Sequence, residues 1–156
     1  LIGHSNGGFM SYRLACAAAD KITAIASLAG ATFDAATACQ PSEPVSILQI
    51  HGTSDTVIRY AGGRNLNSPE RQYPSAEGTV QRWASYNGCD AVPTSGQDRD
   101  LTIGLGEQTR TSTYENCGQG TSVDLWTIER GGHTPGLRRD FSDQALDYLL
   151  SFDKTP

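Results

Sequence analysis

The sequence predicts an α/β fold in which a mainly parallel sheet is flanked by helices. Short apolar segments rich in β-branched residues alternate along the chain with segments of helical periodicity. The apolar segments are 22–28, 45–50 and 123–128, and the helical ones are 7–19, 75–87 and 141–152. Because parallel strands need long crossover connections, which are usually helices, this alternation favours a parallel sheet.

Length and composition narrow the classes of protein that fit the chain. Its 156 residues suffice for one domain with a buried core, and 37% hydrophobic against 19% charged residues indicates a globular protein. No run approaches the roughly 18 apolar residues of a transmembrane helix, so we expect no membrane partner. The net charge of −5, without a basic stripe, argues against a nucleic-acid partner.

The first half of the chain contains one predicted helix and two predicted strands. The helix, 7–19, has an apolar face that comprises Phe9, Met10, Tyr12, Leu14 and Ala17. The strand 22–28 follows it, and a loop over 34–44 leads to the strand 45–50. The strand 22–28 is predicted to be buried because it is short, apolar and rich in β-branched residues.

The middle of the chain is more polar. The segment 64–75 is rich in turn residues, and a helix follows from Ser75 or Ala76 to Asn87, with Gly88 as its stop signal. Gly88 therefore marks the end of this helix, and its start is left between two residues.

The last third of the chain contains two predicted strands and a final helix. Residues 109–114 alternate weakly and predict an edge strand, whereas 123–128 alternate clearly. The helix 141–152 is predicted to face inward with Phe141, Ala145, Leu146, Leu149 and Leu150.

A serine motif at the start of the chain is the strongest functional signal. Residues 3–7, Gly-His-Ser-Asn-Gly, match G-x-S-x-G, in which a strand turns sharply into a helix and holds a serine hydroxyl at the top of a sheet. Both glycines are expected for steric reasons, since strand and helix approach closely there. Only Leu1 and Ile2 remain to supply the strand and no Met begins the chain, so we expect the C-terminal part of a larger protein.

Three side chains follow three predicted strands, at the edge where open α/β sheets form active sites. Ser5 follows the shortened first strand, Asp55 follows the strand 45–50, and His133 follows the last strand. This order along the chain is that of α/β-hydrolases. A serine hydroxyl needs an adjacent base, so His133 is the candidate base and Asp55 the acid that orients it. The backbone N–H of Asn6 is the candidate oxyanion donor.

Each of these roles has alternatives within the sequence. Asp34 and Asp90 compete for the role of the acid, and Asp55 could instead cap a turn. His4 lies inside the serine motif. His51 precedes the acid loop, where we expect it to shape the site rather than to transfer protons.

The four cysteines are Cys16, Cys39, Cys89 and Cys117. An even number is compatible with two disulfides in any of three connectivities, of which the sequential pairing closes two moderate loops. Four free thiols in a cytosolic enzyme are the alternative. None of the spacings is C-x-x-C, so a zinc site is not predicted, and two disulfides would indicate an oxidising compartment.

Longer segments around these residues resemble one known family. They match, in order, its nucleophile region, its acid loop, the segment before a late cysteine, and its last strand with the histidine loop. The family is that of the secreted polyhydroxybutyrate depolymerases and the related feruloyl and acetylxylan esterases. The matching segments are GHSNGGFMSYRLAC (3–16), HGTSDTV (51–57), WASYNGC (83–89), VDLWTI (123–128) and GGHT (131–134).

The resemblance implies an extracellular α/β-hydrolase that cleaves ester bonds through an acyl-enzyme, without a cofactor or a metal. It implies that Ser5, Asp55 and His133 are the catalytic triad, and it favours disulfides within this part of the chain. The implied substrate is a polyhydroxyalkanoate-type polyester or a feruloyl or acetyl ester of a plant cell-wall polysaccharide.

The chain departs from the family pattern in two places. Thr134 is followed directly by Pro135, where the family usually has an intervening tryptophan that lines the mouth of the site. The half of the family fold that is absent here holds the preceding strands and the loop that supplies a second oxyanion donor. We therefore expect 1–156 to be a single, partial α/β-hydrolase domain that lacks its N-terminal strands. Alone, it should be poorly active and prone to association.

Two other functions fit parts of the sequence. A serine peptidase of the same fold fits the triad but not the flanking segments. A remnant that only binds a polymer or carbohydrate fits the aromatic side chains, although burial in a core explains the tryptophans more simply. These aromatic residues are Tyr60, Tyr73, Trp83, Tyr86 and Trp126.

Overall fold

Strands and helices alternate in a computed structural model that describes residues 1–65, 68–104 and 109–154. In chain order the elements are β1 (Ile2–His4), α1 (Asn6–Ala17), β2 (Ala24–Leu28), β3 (Ser46–Gly52), β4 (Gly63–Asn65), β5 (Ser68–Tyr73), α2 (Ala76–Asn87), β6 (Thr94–Ser95), β7 (Thr109–Tyr114), β8 (Val123–Ile128) and α3 (Phe141–Leu150). Each predicted strand and helix corresponds to one of these elements within a few residues.

Six strands form one mixed sheet in the order β1-β2-β3-β8-β7-β6. β1, β2, β3 and β8 are parallel, and β7 and β6 extend the sheet in antiparallel fashion. The register aligns Leu28 with Ile50 and Ile50 with Trp126, so the carboxyl ends of the parallel strands meet at one edge. This sheet and its three helices form part of an α/β-hydrolase-like fold, which confirms the predicted fold class.

The core lies on both faces of the sheet. Every residue of β2, β3 and β8 is buried, which is why these strands read as nearly continuous apolar runs. Helices α1 and α2 cover one face and α3 covers the other. The first face contains Tyr12, Ala15, Val80 and Trp83 against Ile25, Ile47 and Val123, and the second contains Leu48, Ile50, Trp126 and Ile128 with Phe141.

Helix α1 buries a different face from the predicted one. Tyr12 is buried as expected, but Met10 and Leu14 are 55% and 40% exposed. Gly8 and Ala15 are buried instead. The helix approaches the sheet through its smallest side chains, and a pattern of large apolar residues does not reveal such a close approach.

The polar segment 64–75 contains a hairpin that the sequence does not predict. β4 and β5 pair antiparallel as a separate two-stranded sheet, with Gly63 opposite Tyr73. Residues 66 and 67 of this segment lie outside the described part of the chain. The prediction of turns alone is wrong because these strands are polar and show no alternation.

The edge strand and the final helix also differ from their predictions. β7 lies inside the sheet, because the two-residue strand β6, too short for its pattern to be detected, pairs with it. In α3, Leu146 and Leu150 are 44% and 77% exposed, and Tyr148 packs inward instead. Among the described residues, no helix has the length and apolar character needed to cross a membrane.

Two disulfides link loops at the edge of the sheet where β3 and β8 begin. Cys16, near the end of α1, pairs with Cys39, and Cys89, just after α2, pairs with Cys117. The Cα–Cα distances are 5.7 and 3.8 Å. This is the sequential pairing among the three possible connectivities, and no cysteine is left free.

Candidate active site

Ser5 occupies the turn between β1 and α1 in a backbone conformation that is unusual for a residue with a side chain. Its φ is 55° and its ψ is −119°, a region that favours glycine. Two backbone hydrogen bonds hold the turn, from the N–H of Ser5 to the carbonyl of Leu28 at 2.8 Å and from the N–H of Phe9 to the carbonyl of Ser5 at 3.1 Å. The sharp turn presents the hydroxyl at the edge of the sheet.

The two glycines of the serine motif differ in their steric surroundings. A Cβ at Gly3 would lie 2.3 Å from the backbone of Gly7, whereas a Cβ at Gly7 would meet nothing within 4 Å. The second tight position is Gly8, whose Cβ would lie 2.5 Å from the hydroxyl of Ser27. The expectation of a steric need at both motif glycines is therefore correct for Gly3 and wrong for Gly7, because α1 faces the sheet one residue later.

The acid loop and the histidine loop are joined along their backbones. The N–H of Thr53 donates to the carbonyl of Ile128 at 3.0 Å, and the N–H of Ser54 donates to the carbonyl of Gly131 at 2.9 Å. A Cβ at Gly52 would lie 2.2 Å from that same Gly131 oxygen. Because β3 and β8 are neighbours, these contacts fix the distance between the residues that follow, Asp55 and His133.

Ser5, His133 and Asp55 form a continuous hydrogen-bonded line. The Nδ1 of His133 lies 2.8 Å from Oδ2 of Asp55, and its Nε2 lies 2.9 Å from the hydroxyl of Ser5. The Asp55 side chain is fully buried, and the His133 side chain is 17% exposed. An imidazole that donates from Nδ1 to a buried carboxylate presents Nε2 as a proton acceptor toward the serine. The structure thus brings together the three residues that the sequence singles out.

The carboxylate of Asp55 is held by further donors. Its Oδ1 accepts from the backbone N–H groups of Val57 and Ile58 at 2.8 and 2.9 Å. The Nε2 of His51 lies 3.4 Å from Oδ2. The predicted turn-capping role of Asp55 is therefore real, and the same side chain carries it together with the contact to His133.

His51 is a buried and neutral neighbour of the acid. Its side chain is 1% exposed, and burial lowers the pKa of the imidazole, although the nearby Asp55 carboxylate partly opposes this shift. Its Nε2 lies 2.8 Å from the carbonyl of Ile58, and its Nδ1 lies 3.0 Å from the amide nitrogen of Gln49. His51 therefore contacts the acid loop, whereas the imidazole beside Ser5 is that of His133.

The other candidate residues lie outside the line. The Nε2 of His4 bonds to the backbone carbonyl of His133 at 2.8 Å, so His4 supports the histidine loop. Asp90 accepts from the side chain of Asn116 at 2.7 Å, and Asp34 lies on the wall of a cavity. Within the described ranges, no group of three or more histidine, cysteine or acidic side chains is arranged to hold a metal ion.

A cavity of about 620 Å³ adjoins the residue after the serine. Asn6 is the first residue of α1, so its N–H has no partner within the helix. The cavity is lined by Asn6 and Arg13 and by the aromatic side chains of Phe9, Phe33 and Tyr73.

Sequence reasoning missed one set of residues behind the site. Gln49 is fully buried in β3, and its amide contacts both His51 and the hydroxyl of Tyr12. The signal that could have found it is a single long polar residue inside the otherwise apolar segment 45–50. A buried polar residue in such a strand needs hydrogen-bonding partners, and here these partners lie behind the acid.

Comparison with known proteins gives the family. No protein-family model matches the chain. It is 34% identical over 145 aligned residues to feruloyl esterase B of Piromyces equi. This alignment covers 86% of this chain and 24% of that protein. It is 33% identical over 136 residues to feruloyl esterase D of Neurospora crassa. That alignment covers 87% of this chain and 40% of the relative. The chain spans less than half the length of these curated relatives, in keeping with the prediction of a part of a larger protein. With this similarity over most of its own length and with its α/β-hydrolase-like architecture, the chain belongs to a feruloyl esterase-like family.

Proposed function

We propose that this chain carries the catalytic residues of a serine esterase that hydrolyses carboxylic esters, with feruloyl esters as the preferred class. The observation that carries the proposal is the line of hydrogen bonds from Asp55 through His133 to Ser5, at 2.8 and 2.9 Å. The feruloyl esterase relatives support ester hydrolysis independently of this geometry. Residues 1–156 then form one partial α/β-hydrolase domain.

The reaction follows from the roles of the three side chains. The hydroxyl oxygen of Ser5 attacks the ester carbonyl carbon while its proton passes to Nε2 of His133. Asp55 keeps the imidazole in the required tautomer and stabilises the imidazolium. The tetrahedral intermediate then expels the alcohol, which takes the proton from His133. A water molecule, deprotonated by the same nitrogen, attacks the acyl-enzyme and releases the acid with Ser5 restored.

The cavity beside Asn6 is the proposed site for the acyl group. Its volume of about 620 Å³ lies within the range of small-molecule sites. Phe9, Phe33 and Tyr73 provide aromatic walls suited to an aromatic ring, and Arg13 offers a cation for a polar ring substituent. The N–H of Asn6 faces the oxyanion that forms when Ser5 attacks.

The choice of substrate class rests on the relatives and on this lining. A polyhydroxyalkanoate-type polyester stays an alternative prediction for the same catalytic residues. A remnant that only binds sugars is less well supported, because Trp83 and Trp126 are buried and cannot stack on a ligand. Two disulfides fit folding in an oxidising compartment, and we propose an extracellular location.

The proposal is tested with methyl ferulate and with a fluorophosphonate that labels activated serines. We expect ester hydrolysis, and covalent labelling of the peptide that contains Ser5, by the 156-residue chain. Ser5→Ala should abolish the labelling and lower hydrolysis by about 10⁴-fold or more. Labelling is informative even if turnover by the isolated chain is slow, as the sequence predicts.

A matched control separates chemistry from folding. Ser85 is an exposed serine in α2 and is not one of the three proposed catalytic residues. Ser85→Ala should therefore leave both hydrolysis and labelling unchanged. Hydrolysis that persists in Ser5→Ala, or equal background rates in all three proteins, would contradict the proposed function. Faster release from a hydroxybutyrate oligomer than from methyl ferulate would favour the polyester alternative.

A further inference from the structure

A buried row of polar side chains runs behind the acid of the triad. The hydroxyl of Tyr12 in α1 donates to Oε1 of Gln49 in β3 at 2.8 Å, and Nε2 of Gln49 lies 3.0 Å from Nδ1 of His51. The Nε2 of His51 lies 2.8 Å from the carbonyl of Ile58 and 3.4 Å from Oδ2 of Asp55. Tyr12, Gln49 and His51 are each at most 1% exposed. We infer that this row, Tyr12–Gln49–His51, positions the carboxylate of Asp55 for catalysis.

The direction of every hydrogen bond in the row is determined by its neighbours. The nitrogen of the Gln49 amide also donates to the carbonyl of Gly30 at 2.8 Å, and its oxygen accepts from Tyr12, so the amide has one consistent orientation. Since this nitrogen donates to Nδ1 of His51, the proton of the neutral imidazole resides on Nε2. The Nε2–H then points at Ile58 and Asp55.

His51 acts on the acid through two contacts. It holds the carbonyl of Ile58, the same residue whose N–H donates to Oδ1 of Asp55 at 2.9 Å. The same Nε2 also lies 3.4 Å from Oδ2, the oxygen that His133 contacts. Both carboxylate oxygens are thereby oriented, and Oδ2 keeps the direction that receives Nδ1–H of His133.

The surroundings of His51 favour this neutral, donating form. The ring of Tyr60 lies edge-on to the imidazole of His51, with the two ring centroids 5.7 Å apart. The nearby His133 also lowers the pKa of His51. Burial disfavours the charged form more strongly than the nearby Asp55 favours it. His51 is therefore a hydrogen-bond donor that adds no net charge beside the acid, and it leaves the carboxylate available to stabilise the imidazolium of His133.

The inference rests on the proposed function for its catalytic meaning, but its test has a readout that does not need turnover. The proton between Nδ1 of His133 and Asp55 should give a strongly downfield proton NMR resonance in the whole chain. His51→Asn is too short to reach Ile58 and Asp55, whereas the amide of His51→Gln can replace the imidazole Nε2–H. We expect the resonance to be lost or broadened in His51→Asn and kept in His51→Gln.

The same variants should separate positioning from substrate binding. We expect kcat for methyl ferulate to fall about tenfold in His51→Asn with little change in KM, because an acid displaced by a fraction of an ångström orients the base less well. His51→Gln should restore most of the lost kcat.

A second variant keeps the test decisive if His51→Asn does not fold. Gln49→Met keeps the volume of the buried side chain and removes the bonds to Tyr12 and His51, so the same changes are expected at a smaller size. An unchanged resonance in the folded variants, or none in the natural chain, overturns the inference. A resonance sensitive to His51→Asn in a chain whose Ser5 is unreactive would uphold the positioning role and contradict the proposed function instead.

Discussion

The two sides of the proposed triad are built differently. On the acid side, Asp55 is 5% exposed. Its Oδ1 accepts from two backbone N–H groups, and its Oδ2 lies 2.8 Å from Nδ1 of His133 and 3.4 Å from Nε2 of His51. On the nucleophile side, Ser5 is half-buried with a φ of 55°, and its neighbours His4 and Asn6 are exposed. Many contacts fix the acid, whereas a strained turn presents the serine.

The difference indicates which contacts serve both the stability of the fold and the proposed function. On the acid side the contacts that orient the carboxylate also hold the loop, so function and stability share the same hydrogen bonds. On the nucleophile side the conformation that exposes the hydroxyl opposes stability and persists because the surrounding backbone enforces it. Substitutions on the two sides should therefore have opposite effects on folding even where both abolish activity.

The largest expected contrast is between Ser5→Gly and Asp55→Ala. Both should reduce ester hydrolysis by about 10³-fold or more. Ser5→Gly should raise the free energy of unfolding by about 1 kcal/mol, since glycine adopts a positive φ without strain. Asp55→Ala should lower it by about 2–4 kcal/mol, because the N–H groups of Val57 and Ile58 lose their buried acceptor.

Urea denaturation followed by circular dichroism measures both effects. Ser5→Ala is the control, because alanine keeps the strained φ and should leave the free energy of unfolding nearly unchanged. Equal destabilisation by the glycine and the Asp55 variants would show that the two sides are not distinct in the way proposed.

A smaller contrast lies within the serine turn itself. Gly3→Ala should lower the free energy of unfolding by several kcal/mol, because the new methyl group would lie 2.3 Å from the backbone of Gly7. Gly7→Ala should be neutral or stabilising by about 0.5–1 kcal/mol, since that position is open and lies in a helix. Thermal unfolding of the two variants checks this. A similar loss in both would mean that the turn tolerates neither side chain.

The smallest expected effect concerns pH and the acid side alone. Because the pKa of His51 is lowered in the folded chain, the unfolded chain binds a proton more readily as the pH falls below about 6.5. Stability is therefore fully present above that pH and decreases as the pH falls toward the lowered folded value. His51→Gln, which cannot titrate, should show a weaker loss of stability between pH 8 and pH 5 in urea titrations. An identical pH dependence in both proteins would contradict the buried, neutral state of His51.

Much of the architecture could be predicted because the parallel strands are buried on both faces. The short apolar segments of β2 and β3 and the alternation of β8 locate these strands, and the order of Ser5, Asp55 and His133 after strand ends indicates one shared edge. The end of α2 could also be predicted, since Gly88 follows the last helical residue with a φ of 67°.

The rest depends on contacts that a linear pattern does not record. The buried side of α1 is made of small residues such as Gly8 and Ala15, and hydrophobicity does not mark them as core. The hairpin of β4 and β5 is polar and gives no periodic signal. Gln49 contributes through partners 37 residues away in Tyr12 and two residues away in His51, and only the folded chain brings these together.

The two disulfides have a practical consequence for obtaining the protein. They lie where β3 and β8 begin, away from the edge that carries Asp55 and His133, so their formation need not disturb the chemistry. On the chain-entropy estimate each of them stabilises the fold by about 3–4 kcal/mol, and together they rival the net stability of a typical domain. The redox conditions of the expression host should therefore decide the yield of folded protein, and a host with an oxidising export route is the appropriate choice.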